Sequence, residues 1–359
     1  MGQFRFLLAI SVFLTHVISP GTFLSNIGFG GANSVEIFFV ISGFYIALIL
    51  DKKYLKIRVF YINRALRIYP TYFAICGVVL IVCLFSSTIR KDMFSYPGIA
   101  LAVATVSNLT LFGIDGVMFL QWNGNSLDIG NFNFSDLPLW HMLWVPQAWS
   151  LGVEVVFYMC APFLCKLKSR HLVTLVSLLI SLRIFSWTHI GLNEDPWSYR
   201  FFPFELPLFL IGVLLYRLRA HGKIRFLLNA KFLNTITVVI FLVFGFTVQI
   251  FKSNQLTTMS FLIALVSVNL VLNRSNSQLD RWFASMAYPV YLSHGILFRL
   301  YREFVNFAVN RNTFFDLLNN QWVSLFINLG AVLIVSGLLL KFQKPFDEKR
   351  NSNLKTQTK

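Results

Sequence analysis

Two residues of the first apolar run carry the first chemical signal. Arg5 and His16 stand eleven positions apart, which on a helix is three turns plus about 20°, so both fall on one face about 16 Å apart. A neutral imidazole among apolar side chains, largely desolvated, accepts a proton near neutral pH. A guanidinium at the mouth of the same helix suits a phosphate-bearing ligand. The plain alternative is a snorkelling arginine and a structurally hydrogen-bonded histidine.

Further candidates follow along the chain. Glu36 opens the second apolar run, where a carboxylate suits a helix N-terminus, and Ser42 with Gly43 permits close helix approach. The basic stretch from Lys52 to Arg67 holds Arg58, Arg64 and Arg67; the last two are i, i+3 neighbours able to grip one anion, or simply to meet lipid headgroups. Glu154 starts a later run, as a helix cap or as a partner for an imidazole or a sugar. His294 lies in an apolar helix with Arg299, Arg302 and Glu303 further along. Trp140, His141, Trp144 and Trp149 precede the Glu154 run, where aromatics form interface belts and also stack on sugars.

The elements that must position these residues are set by composition. Of 359 residues, 56% are hydrophobic and only 13% charged, with 39 Phe; soluble domains carry about a quarter charged residues. That excess of apolar surface must face lipid, which excludes a disordered tail protein, a secreted disulfide scaffold and a cytosolic enzyme. Apolar runs at 4–20, 34–50, 68–87, 148–165, 171–190, 203–216, 232–251, 257–272, 285–306 and 322–340 give ten expected spans. The expected fold is an all-α polytopic membrane domain over 1–340, followed by a short basic tail, 341–359, too short to fold by itself.

The net charge of +16 resolves into orientation. The amino end, 51–67, 166–170, 217–231, 273–281 and the tail carry most Lys and Arg. Alternate connections hold only Arg90, Lys91, Arg200, Lys252 and Arg311. By the positive-inside rule both termini are cytoplasmic. That assignment requires the run 97–114 to be re-entrant or packed on the outer half, because a further span would invert every later connection. Nucleic-acid binding is not needed to explain the charge. Cys76, Cys83, Cys160 and Cys165 lie in or beside apolar runs and read as inert small residues, and no metal spacing is present. A cleaved signal peptide fits 1–20 poorly, since no small-x-small site follows and His16 interrupts the run.

The pattern as a whole resembles the membrane acyltransferase 3 family. The residues that carry the likeness are Arg5 and His16, the segment Val35 to Phe44, Arg64 to Pro70, Trp149-Ser150-Leu151-Gly152-Val153-Glu154 with Phe157-Tyr158, and Tyr288-Pro289-Val290-Tyr291-Leu292-Ser293-His294. Five motifs in family order cover essentially the whole chain. The resemblance implies transfer of an acyl group, usually acetyl, from a cytoplasmic acyl-CoA to a hydroxyl of a bacterial surface carbohydrate, with His16 as the base. On that basis His16 and Glu154 are the expected catalytic residues and Arg5, Arg64 and Arg67 the expected donor contacts. Glu36, Ser42, Ser150, Tyr291 and His294 are expected to support substrate or structure. The family more often has Asp where Glu36 stands and Ser where Pro289 stands; the proline is expected to alter the turn before its helix. A transporter or flippase of a lipid-linked glycan is the rival class, but no paired broken-helix halves are evident.

Overall fold

A computed structural model describes residues 1–18, 30–130, 137–221, 255–272, 277–309 and 317–357. The described chain is predominantly helical. Its helices are α1 (Gly2–Val17), α2 (Gly31–Lys52), α3 (Ile57–Phe85), α4 (Ser87–Met93), α5 (Ile99–Thr110), α6 (Trp149–Leu164), α7 (Ser169–Phe185), α8 (Phe202–Ala220), α9 (Gln255–Leu272), α10 (Gln278–Val309) and α11 (Gln321–Lys355). A two-stranded hairpin, β1 (Leu120–Trp122) with β2 (Leu127–Ile129), pairs Gln121 with Asp128 in the connection before α6.

Among the described residues, five stretches are long and apolar enough to cross a membrane: Gly31–Lys52, Ile57–Phe85, Pro146–Leu164, Ser169–Ile190 and Gln321–Lys355. The clearest by exposure is Ser169–Ile190, predominantly apolar yet with only 6% of its span window buried by protein. Leu178, Leu182, Ile184 and Phe185 point outward there, which is stable only against lipid. The expected span 232–251 lies outside the described residues. The run 97–114 forms α5, twelve residues ending at Leu111 in the left-handed region, φ 59°. At 1.5 Å per residue such a helix reaches about 18 Å, short of a hydrocarbon core of about 30 Å.

Two boundaries differ from the sequence reading. Helix α3 begins at Ile57, eleven residues before the apolar run, so Arg58 rides on the helix together with Arg64 and Arg67, whose i, i+3 spacing already presumed one. Nothing between 57 and 67 breaks a helix, and Pro70 sits inside it, removing one N–H without ending it. Helix α11 likewise continues past Leu340 to Lys355, through Pro345.

The chain divides into two compact units, Met1–Phe38 with Arg217–Pro345 and Phe39–Tyr216 with Phe346–Lys359. In the first, α1 packs along α10. Gly2 makes this possible: a Cβ there would fall 1.7 Å from the Asp280 carbonyl oxygen, and Asp280 Oδ1 accepts the Gln3 N–H at 3.1 Å, capping α1 from the neighbouring helix. In the second, α2 crosses α8 backbone to backbone. A Cβ on Gly43 would lie 1.9 Å from the Phe209 carbonyl oxygen, and one on Gly212 would lie 2.1 Å from that of Val40. The expected close approach at Gly43 is therefore real.

Candidate functional site

In the first unit the chemistry gathers at the end of α1. His16 occupies its last turn and is exposed, where the sequence had suggested a desolvated ring; a terminal position leaves one side of the imidazole without a covering turn. Its Nδ1 lies 2.9 Å from the Val12 carbonyl oxygen. A carbonyl only accepts, so Nδ1 carries the proton and Nε2 is left as the acceptor. The tautomer is thus fixed by the helix's own backbone, a role the sequence reading had offered to Glu154. Thr15 Oγ1 donates to the same carbonyl at 2.7 Å.

His294, on α10, faces this ring: the two imidazole centroids are 4.9 Å apart and inclined by 55°. His294 is fully buried, and neither ring nitrogen has a hydrogen-bond partner among the described residues. Tyr291 packs edge-on to His294, 5.9 Å between centroids, and its ring also meets Phe38 of α2 at 6.4 Å. Pro289 lies inside α10 and not before it, so its effect is to delete one backbone N–H from the helix ladder a turn from His294. Arg5 is half-buried on α1, and Glu36 is buried on α2. Helix α2 starts at Gly31, so Glu36 is in the second turn and does not cap it.

In the second unit, Glu154 stands five residues into α6, too deep for capping. Its Oε1 accepts hydrogen bonds from Ser42 Oγ on α2 and from Tyr158 Oη one turn along α6. Tyr158 in turn lies under the Arg64 guanidinium, 6.0 Å from ring centroid to Cζ, and Arg64 also covers Phe60 at 5.8 Å. Ser42, Glu154, Tyr158 and Arg64 therefore form one continuous polar string through an apolar unit, where unmatched polar groups are costly.

A family model described as an acyltransferase domain, acyltransferase 3, matches residues 2–341. The chain belongs to the acyltransferase 3 family. It is also similar to an uncharacterized protein of Aquifex aeolicus (strain VF5), 28% identical over 181 residues that cover 49% of this chain and 79% of that one. No solved structure gives a significant match.

Within this acyltransferase 3 chain, the expected residues separate by unit. Arg5, His16, Glu36, Tyr291 and His294 belong to the first; Ser42, Arg64, Arg67, Ser150 and Glu154 belong to the second. Ser150 Oγ reaches the Gln147 carbonyl at 3.4 Å near the start of α6, a local contact. Trp149, expected in an interface belt, is buried, with the Arg200 guanidinium 4.6 Å above its ring. Arg200 itself is held by both Asp195 oxygens, at 2.5 and 2.8 Å.

Sequence reasoning missed three features. Tyr158 was visible as part of a motif, and its i, i+4 spacing from Glu154 predicts the contact that forms. Arg183 and the fully buried Glu205 pair at 3.4 Å, a partnership without a sequence signature. Asp115, in the turn after α5, is half-buried against Gly152 of α6. Loss of water there raises its carboxyl to about 6, against the smaller pull of its own and the Gly116 N–H.

Proposed function

We propose that this protein is a multi-pass membrane O-acyltransferase of the bacterial inner membrane. It moves an acyl group, acetyl in the first instance, from cytoplasmic acyl-CoA to a sugar hydroxyl of a surface or lipid-linked glycan such as an O-antigen, exopolysaccharide or lipo-oligosaccharide. Ten spans with both termini cytoplasmic are the arrangement that goes with it. Membership of the acyltransferase 3 family supports the reaction class.

The observation that carries the mechanism is the His16 imidazole, exposed and tethered through Nδ1 to the Val12 carbonyl. Nε2 takes the proton of the sugar hydroxyl as that oxygen attacks the thioester carbonyl. The new C–O bond forms, the C–S bond breaks, and the departing thiolate recovers the proton from the imidazolium as free CoA thiol. No covalent enzyme intermediate is required. General-base help of this kind is worth roughly 10²–10⁴ in rate. Arg64 and Arg67 take donor phosphates, with Arg5 a further cation for the same chemistry. Glu154, fixed by two hydroxyl donors, presents a carboxylate oriented to hold an acceptor hydroxyl.

The reading is tested in cells by mass spectrometry of surface glycans from a strain lacking the gene. Loss of an acetyl substituent, restored by the wild-type gene, is expected. Unchanged acylation, with loss of glycan from the surface, would replace this reading with transport.

A further inference from the structure

The far end of α11 is docked on the start of α3 by a set of specific hydrogen bonds. Asn63 Nδ2 donates to the Arg350 carbonyl at 3.1 Å, and Asn353 Nδ2 donates to Asn63 Oδ1 at 2.9 Å; Asn63 is fully buried between them. Gln357 Oε1 accepts the Leu55 and Lys56 N–H groups at 3.1 and 3.2 Å, and its amide donates to the Lys53 carbonyl at 3.4 Å. This dock brings the Arg350 side chain into the field of Arg64 and Arg67, which stand one turn apart on α3.

Three guanidinium groups repel, so the hydrogen bonds of the dock hold together what charge would separate. Against these three, Asp347 is the one carboxylate within ion-pair distance among the described residues, and it pairs with Arg350 Nη1. Among the described residues, the hydrogen bond Arg64 makes is to the Tyr54 hydroxyl, at 3.5 Å. The Nε atoms of Arg64 and Arg350 are buried without an acceptor among the described residues. Surplus positive charge and buried donors lacking acceptors call for the same thing, an oxyanion with several oxygens. Planar guanidinium forks match phosphate in that role better than ammonium groups would.

We propose that Arg350 completes a phosphate-binding site with Arg64 and Arg67, so that the end of α11 is part of the ligand site. The ligand class is a phosphate or pyrophosphate ester. On the acyltransferase reading above, on which the assignment of this ligand rests, it is the nucleotide end of the acyl-CoA; the headgroup of an anionic phospholipid offers the same chemistry.

The test uses the full chain in nanodiscs of phosphatidylcholine, with CoA binding measured by titration and pantetheine, which lacks the nucleotide, as control. Arg350→Gln is expected to weaken CoA roughly ten-fold or more, the scale of one lost charged hydrogen bond, and to leave pantetheine unchanged. Asp347→Asn releases Arg350 and is expected to hold or tighten CoA binding; a loss equal to that of Arg350→Gln would mean that Arg350 only anchors α11, and the proposal fails. If the glutamine variant does not fold, Arg350→Lys carries the comparison with a smaller expected loss, and wild-type affinity there also counts against the proposal. A drop in Arg64→Gln/Arg67→Gln with none in Arg350→Gln removes Arg350 and leaves the donor reading intact. CoA binding unaffected in every variant, with variant-sensitive retention of phosphatidylglycerol in a parallel set of nanodiscs doped with that lipid, assigns the site to headgroups and removes the donor reading. No variant-dependent change with either ligand overturns both.

Discussion

The His16 and His294 rings stand 4.9 Å apart, one exposed at the end of α1, the other sealed within α10. Two imidazolium rings that close would repel by about 3 kcal/mol at an effective dielectric near 20, so a proton taken up by His16 during transfer is best accommodated beside an uncharged neighbouring ring. His294 thereby acts as a neutral wall that positions the base. His294→Phe, which keeps the ring volume, is expected to lower acyl transfer about ten-fold, against roughly 10²–10⁴ for His16→Ala. Because His294 acts through His16, the double variant should be no slower than His16→Ala alone. Multiplying losses in steady-state kinetics would show independent roles.

Glu154 binds two hydroxyls, and the consequence is a test by pairs. Glu154→Ala leaves the buried Tyr158 hydroxyl without its acceptor, a loss of about 1–3 kcal/mol. Adding Tyr158→Phe removes the stranded group and should restore part of the melting temperature. Additive destabilisation by the two changes would mean that the hydrogen bond is not what holds them.

The lipid-facing nature of α7 was legible because a long apolar run has only one stable use. The start of α3 was legible in part: the i, i+3 pairing of Arg64 and Arg67 presumed a helix, but the charge placed the segment in a connection, and that the helix begins at Ile57 follows only from the lack of any breaker. The Glu154–Tyr158 contact was implicit in i, i+4 spacing, but no pattern within α6 tells that Ser42 of α2 supplies the second donor. Arg350 was read only as tail charge, because the apolar run ends at Leu340; the dock on Asn63 that holds the helix beyond it is tertiary. Glu36 was misplaced as a cap by the later start assigned to α2.

Close helix crossing makes an unambiguous prediction. Gly43→Ala and Gly212→Ala each put a methyl group into a backbone carbonyl, and each is expected to cost several kcal/mol or prevent folding, on the order of severe overpacking. Gly330→Ala and Gly337→Ala on α11 meet nothing within 4 Å and should be neutral or stabilising by about 0.5–1 kcal/mol. Thermal unfolding in detergent reads all four; equal tolerance at all sites would contradict the crossing.

Asp115 predicts a pH effect with a definite sign. Its carboxyl is raised by burial to about 6 in the folded chain from 3.8, so the folded state holds the proton more tightly. Stability is then lost as pH rises through that window, and the penalty persists above it. Asp115→Asn should stabilise the protein at pH 8 by roughly 1–3 kcal/mol and make little difference at pH 4. The melting-temperature difference between variant and wild type, followed from pH 4 to 8, measures this; a difference independent of pH would contradict it.

The central claim is that His16 is the base of an acyl transfer. Purified protein in liposomes, given labelled acetyl-CoA and a glycan acceptor fraction, tests it most directly. The account predicts label on the glycan with wild type and a loss of roughly 10²–10⁴ in turnover with His16→Ala, CoA binding being retained. Transfer undiminished in His16→Ala would contradict it.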